Sequence, residues 1–311
     1  MHIEQIINKD HLRDPNRGFT LVELVIVLVL TSILAGSMSV FMSYPILAYT
    51  NILHRAELVD SAELALRRIV RDIERAVPNS VRVKTSGSTV AIEMLNAVDG
   101  ARYRAQPPGN PLNFSGTTTG FDIIGNFQAA TSLTPPAGGF RLVIYNIGAY
   151  SGTPDSPVAG ENVYSLSGAA GPNPPAGSVV ITPTTSAVAL VSGVPNDSVT
   201  ITPGIQFAFA SPENRLYVAD TPVTYICSPN PANPSQGTLY RYHSYSITQV
   251  QSTSAPIGST SAQVAKNVSA CSFNYAPGAP QRNGIVTLNL TLTKRGESSV
   301  LLLQSQVNNS P

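Results

Sequence analysis

The order of apolar and polar positions changes character three times along the chain. Residues 1–18 are polar, with Lys9, Arg13 and Arg17 set against Glu4, Asp10 and Asp14. Residues 19–53 are then almost continuously apolar. Glu23 is the single charge there, and positions 24–53 hold no Asp, Glu, Lys, Arg or His. Thirty such residues wound as a helix would be about 45 Å long, enough for the ~30 Å hydrocarbon core of a bilayer. The pattern predicts a membrane-inserting helix.

From His54 the apolar residues thin to a stripe. Leu58, Ala62, Leu66, Ile69, Ile73 and Val77 recur at spacings of three or four, the mark of an amphipathic helix. Glu63 with Arg67 and Arg68 with Asp72 stand four apart as opposite charges on its other faces. Arg67, Arg68, Arg71 and Arg75 are interleaved with Glu63, Asp72 and Glu74, so they read as a solvated, salt-bridged face rather than a basic patch. Pro78 should stop the helix, Gly36 weakens it, and Pro45 should kink or locally melt it. A continuous helix from Phe19 to Val77 would be about 90 Å long, a handle whose second half lies on a head.

Beyond Asn79 the period falls to two. Strands are predicted at 80–84, 89–95, 140–147, 178–182, 198–202, 205–210, 215–219, 222–227, 239–247 and 284–293, separated by Pro, Gly, Ser and Asn clusters. The Pro- and Gly-rich stretches 105–120 and 148–177 read as long surface loops. The expected fold class is α+β: a long N-terminal α-helix, half membrane and half amphipathic, packed on a mostly antiparallel β-sheet head. The divisions are 1–18, a leader; 19–53, the transmembrane helix; 54–78, the amphipathic helix; and 79–311, the head.

Composition narrows the function. Charged residues are 12% of the chain, about half the ~25% usual for soluble domains. A net charge of +1 gives no general footprint for nucleic acid, so no nucleic-acid partner is expected. No G-x-S-x-G, H-E-x-x-H, Walker or Rossmann pattern occurs, and beyond the leader only His54 and His243 remain. No enzyme activity, catalytic residue, cofactor or metal site is therefore assigned. Tyr240 and Tyr242 fall on one side of a predicted strand and Tyr245 on the other, which favours sheet packing over a ligand-stacking face.

The polar-to-apolar junction is the informative segment. An ordinary secretory signal has a 7–15-residue apolar core followed by a small-residue cleavage site, and here the run is longer and closes on no such site. Gly18 instead precedes it. Cleavage after Gly18 would retain the helix, make Phe19 the new amino terminus and put Glu23 fifth. Gly18-Phe19-Thr20-Leu21-Val22-Glu23 followed by an apolar helix resembles the cleavage and methylation segment of type IV prepilins and type II secretion pseudopilins. The resemblance implies a prepilin peptidase that cuts between Gly18 and Phe19 on the cytoplasmic side and N-methylates Phe19. It also implies that Glu23 pairs in assembly with the Phe19 amino group of a neighbouring subunit. A carboxylate near the start of a lipid-embedded helix costs roughly 2.5–3.5 kcal/mol on insertion scales, so it marks a functional partner.

Further along, VTYIC, GTLYRYHSYSI, VSACSFNYAPG and NGIVTLNLTLTKRGES resemble the MshO group of minor pilins from mannose-sensitive haemagglutinin (MSHA) pili, a group related to the J-class pseudopilins of type II secretion. The middle, about 100–215, carries no resemblance. Implied partners are other pilins through the N-terminal helix, the peptidase and an inner-membrane assembly platform. The implied location is the bacterial inner membrane, single-pass with the head in the periplasm, and then a pilus (fimbrium) or pseudopilus. The competing reading is a membrane-anchored adhesin or lectin-like binding protein. With the head in an oxidising compartment, Cys227 and Cys271 are expected to form a disulfide in preference to staying as two buried thiols. The bridge would stabilise the head by about 4 kcal/mol on the chain-entropy estimate.

Overall fold

A computed structural model describes residues 18–148, 162–166, 177–277 and 283–307. All of the proposed leader 1–18 except Gly18 lies outside them, as do most of the 148–177 loop and the last four residues. The chain divides into two compact units at Leu53/His54. One helix, α1 (Leu21–Glu74), enters both, and the rest is antiparallel sheet, so the class is α+β.

In the first unit every described side chain from Phe19 to Tyr49 is exposed. Helical assignment continues through Pro45, so the proline removes one backbone donor without the local melting expected of it. The helix ends at Glu74, three residues before the predicted end. Arg75 and Val77 turn their backbones to sheet pairing instead: Val77 N–H donates to the Leu95 carbonyl and Ala97 N–H to that of Arg75.

The second unit is built on the predicted stripe. Leu58, Ala62, Leu66, Ile69 and Ile73 are all buried, together with Ala65, against a core that includes Ile92, Tyr225, Leu239, Leu288 and Leu290. The main sheet contains β1 (Arg82–Ser86), β2 (Thr89–Arg102), β4 (Arg141–Val143), β7 (Arg215–Ser228), β8 (Thr238–His243) and β9 (Thr260–Lys266), with β7 central between β2 and β8. A second sheet is the meander β10 (Val268–Ala276), β11 (Gly284–Lys294) and β12 (Glu297–Val307). The third, β3 (Thr118–Asp122), β6 (Ser198–Ile205) and β5 (Ala187–Val191), encloses a separate core around Phe121, Ile123, Phe140, Val199 and Phe207.

Several expected strands change. The two at 215–219 and 222–227 are one, β7, because Pro222 is accommodated opposite Leu95, where β2 bulges. Segment 178–182 is not a strand, and of 205–210 only Ile205, the end of β6, is; the rest carries only isolated bridges, Val179↔Phe207 between the two segments and Val143↔Ile181 to β4. The strand expected over 140–147 shortens to β4. Part of the expected surface loops is interior: β3 begins at Thr118, and Val163 and Tyr164 are buried in a third cluster with Leu95 and Val143.

Candidate functional site

The amino-terminal segment begins outside the helix. Gly18, Phe19 and Thr20 precede Leu21, the first helical residue, and Phe19 is 78% exposed. Thr20 caps α1: its Oγ1 accepts the Glu23 N–H at 3.2 Å, and its carbonyl accepts the Leu24 N–H at 3.1 Å. Glu23 is therefore the third residue of the helix, in the Thr-x-x-Glu spacing of a capping box and within the first turn, where the helix dipole favours an acid. The Thr20 cap is readable from the Thr-x-x-Glu spacing alone, and it holds the Glu23 backbone while leaving the carboxylate for the assembly role that the resemblance implies. No described side chain contacts the Glu23 carboxylate.

Polar residues within the apolar helix satisfy themselves. Thr31 Oγ1 donates to the Val27 carbonyl at 2.7 Å, Ser32 Oγ to that of Leu28 at 2.7 Å and Ser37 Oγ to that of Leu34 at 2.9 Å. Lipid supplies no hydrogen-bonding partner, so hydroxyls that bond back to their own helix are the ones a spanning segment tolerates. By length and composition α1 can cross a bilayer, which fits anchoring in an inner membrane.

Within the second unit, the amphipathic part of α1 is fastened by polar contacts at two levels. The β11–β12 turn, with Arg295 and Gly296 both at positive φ, reaches it through Lys294 Nζ to Glu57 (2.8 Å), Glu297 to Arg55 (3.0 Å) and Arg295 to His54 (3.1 Å). Deeper, Asp72 Oδ2 accepts both the Tyr225 hydroxyl (2.6 Å) and Arg241 Nε (2.7 Å). Burial, then the Asp72 carboxylate, pushes the Tyr225 phenol far above its ordinary value. The predicted Glu63–Arg67 pair forms, but Asp72 turns to Arg241 and Tyr225 instead of Arg68.

Cys227 and Cys271 are bridged, with Cα atoms 6.6 Å apart, and join the end of β7 to β10. Tyr245 corrects the sequence reading. β8 ends at His243, Ser244 turns at positive φ, and the Tyr245 hydroxyl meets Thr224 Oγ1 at 2.5 Å. Thr224 is the cross-strand partner of Tyr242, so Tyr245 folds onto the Tyr242 face and not the opposite one. Among the described residues no group of three or more His, Cys, Asp or Glu side chains could hold a metal ion.

The model of the prokaryotic N-terminal methylation motif matches residues 13–39, which include Gly18, Phe19, Thr20 and Glu23. No curated protein and no solved structure matches the chain. The motif supports a type IV pilin-like precursor of the kind that a prepilin peptidase processes.

Proposed function

We propose that the chain is a minor pilin or pseudopilin, a structural and assembly subunit of a type IV pilus-like filament, and not an enzyme. The methylation motif at the mouth of a helix whose described side chains are exposed from Phe19 to Tyr49 carries this reading. The peptidase cuts between Gly18 and Phe19 and N-methylates Phe19. The retained helix then holds the subunit in the inner membrane, with residues 79–311 as a periplasmic head, until it joins other pilins at an assembly platform. An exposed apolar surface of this extent needs lipid or neighbouring helices to cover it. The C-terminal resemblance makes an MshO-like minor pilin the finer assignment, ahead of a J-class secretion pseudopilin.

Glu23 is the residue that separates a filament subunit from a mere anchor. A neighbour's Phe19 ammonium would form a charge-assisted contact with it, strengthened where water is excluded. Glu23→Val removes the charge and the acid that suits the first turn of the helix. Glu23→Gln removes the charge alone, and the Thr20 cap, which holds the backbone N–H of residue 23, persists in both variants. Both should be cleaved and inserted normally, and both should lose crosslinking to partner pilins through the helix. If Glu23→Gln crosslinks as well as the unaltered chain, the charge plays no part in pairing and the assembly reading fails.

A further inference from the structure

The free edge of β12 differs from every other sheet edge described. β1, β3 and β5 are five residues each, and β4 is three. The pairing of β9 slips between Leu239 and Tyr240 and the strand ends in Lys266, while β10 is bulged between Val268 and Ala270 and tied by Cys271. Short length, bulges and lysines are the usual defences of an open edge. β12 has none of them. It is eleven residues long, pairs with β11 in unbroken register from Lys294↔Glu297 to Gly284↔Val307, and carries no charge, proline or glycine from Ser298 to Val307.

Both faces of that edge are apolar at mid-strand. Val300 and Leu302 are each 63% exposed on one face. On the other, Leu301 and Leu303 border an open groove with Leu66 and Val70 of α1, rimmed by Arg67 and Arg71 together with Glu63 and Glu74. A row of backbone groups that pair with no described residue, between two apolar surfaces, fits one class of ligand, an extended strand.

We propose that β12 is a strand-pairing surface whose occupant is β12 of a second copy of this chain, running antiparallel. The sequence of the edge is what identifies the occupant. About a two-fold axis at Leu302, that residue meets its own copy, Leu301 meets Leu303, Val300 meets Gln304, Ser299 meets Ser305 and Ser298 meets Gln306. Leucines gather at the axis and neutral polar residues at the ends, so no like charges oppose one another. The strand's one acid, Glu297, lies at its end and is already engaged by Arg55. The contact is isologous and closes on itself, joining two three-stranded sheets into one of six. It does not depend on Glu23 or on the filament reading.

The register supplies the test. Opposed Cα atoms of an antiparallel pair lie about 4.5–5.5 Å apart, within disulfide range. Full-length Leu302→Cys, purified in detergent with its native bridge intact and oxidised with copper phenanthroline, should give a reducible homodimer. Ser298→Cys alone should give at least tenfold less, and mixing it with Gln306→Cys should restore the dimer. Leu302→Lys, a substitution at an exposed position, should abolish dimer trapped by a lysine-independent crosslinker while leaving the circular dichroism unchanged. Equal yields from Leu302→Cys and Ser298→Cys, or no dimer at all, would overturn the proposal. So would capture of a different protein by Leu302→Cys in cells, which would leave the edge in use with another occupant. Dimer formation by Glu23→Val keeps this result separate from the filament test.

Discussion

Arg82 on β1 and Glu93 on β2 form an ion pair inside the second unit, Nη2 to Oε2 at 2.7 Å, with side chains 1% and 3% exposed. The pair is cross-strand and fully supported. Arg82 also donates to the carbonyls of Gln249 (2.7 Å) and Thr248 (2.9 Å), and Tyr164 lies 3.5 Å from its guanidinium carbon. Glu93 Oε1 accepts the Tyr245 hydroxyl at 2.7 Å. The network fastens the segment after β8 across the face of the main sheet opposite α1.

Removing one member of such a pair strands a buried charge. Glu93→Ala should therefore cost about 3–5 kcal/mol, whereas the double change Arg82→Met with Glu93→Leu should recover most of that loss. Urea unfolding of the detergent-solubilised chain checks both. Equal losses in the single and double variants would show that the network's hydrogen bonds, and not the unpaired charge, decide the cost.

Alkaline pH should loosen the same region. Burial, followed by the nearby Glu93 carboxylate, raises the Tyr164 and Tyr245 phenols, and burial with Asp72 raises that of Tyr225. Their folded pKa values exceed the unfolded value of about 10, so their contribution is complete below that pH. Above it the unfolded chain ionises first and stability falls as pH rises. Absorbance at the tyrosinate band should show these three titrating only with unfolding, and Tyr225→Phe should flatten the decline.

Asp72 anchors the amphipathic helix more firmly than its surface pairs do. Its carboxylate serves a tyrosine and an arginine at once and is mostly sheltered, so Asp72→Asn should lose about 1.5–3 kcal/mol. Lys294→Ala, which breaks an exposed, solvent-screened pair with Glu57, should lose much less. The same unfolding measurement ranks the two, and a reversed order would shift the anchor to the β11–β12 turn.

Much of this architecture was legible because local pattern and tertiary structure agree. The stripe from Leu58 to Ile73 is buried as its spacing requires, and the alternation in 284–293 is β11. Non-local partners decided what was missed. Residues 178–182 alternate as well as many strands but find only single bridges, while β9, TSAQVAK, has weak alternation and is a strand because β8 offers it an edge. Asp72 could not be read from helical spacing, since its partners lie 153 and 169 positions away. At the amino terminus Gly18, Phe19 and Glu23 stand out through their motif, and the Thr20 cap is legible in the same letters.

The Cys227–Cys271 bridge closes a loop of 43 intervening residues. Cys227→Ser should cost about 4 kcal/mol on the chain-entropy estimate, lowering the Tm by on the order of 10 °C. Alkylation should find no free thiol in the native chain and two after reduction. Two thiols available without reduction would contradict the bridge.

The central claim is processing at Gly18–Phe19, and an amino-terminal mass measurement tests it most directly. A Cβ at residue 18 would meet none of the described residues within 4 Å, so Gly18→Val leaves their fold undisturbed, and any loss of cleavage belongs to the peptidase step. Co-expressed with a prepilin peptidase, the unaltered chain should yield a mature form beginning at N-methylated Phe19, and Gly18→Val should remain full length. A mature terminus at any other residue, or efficient cleavage of Gly18→Val, would contradict the account.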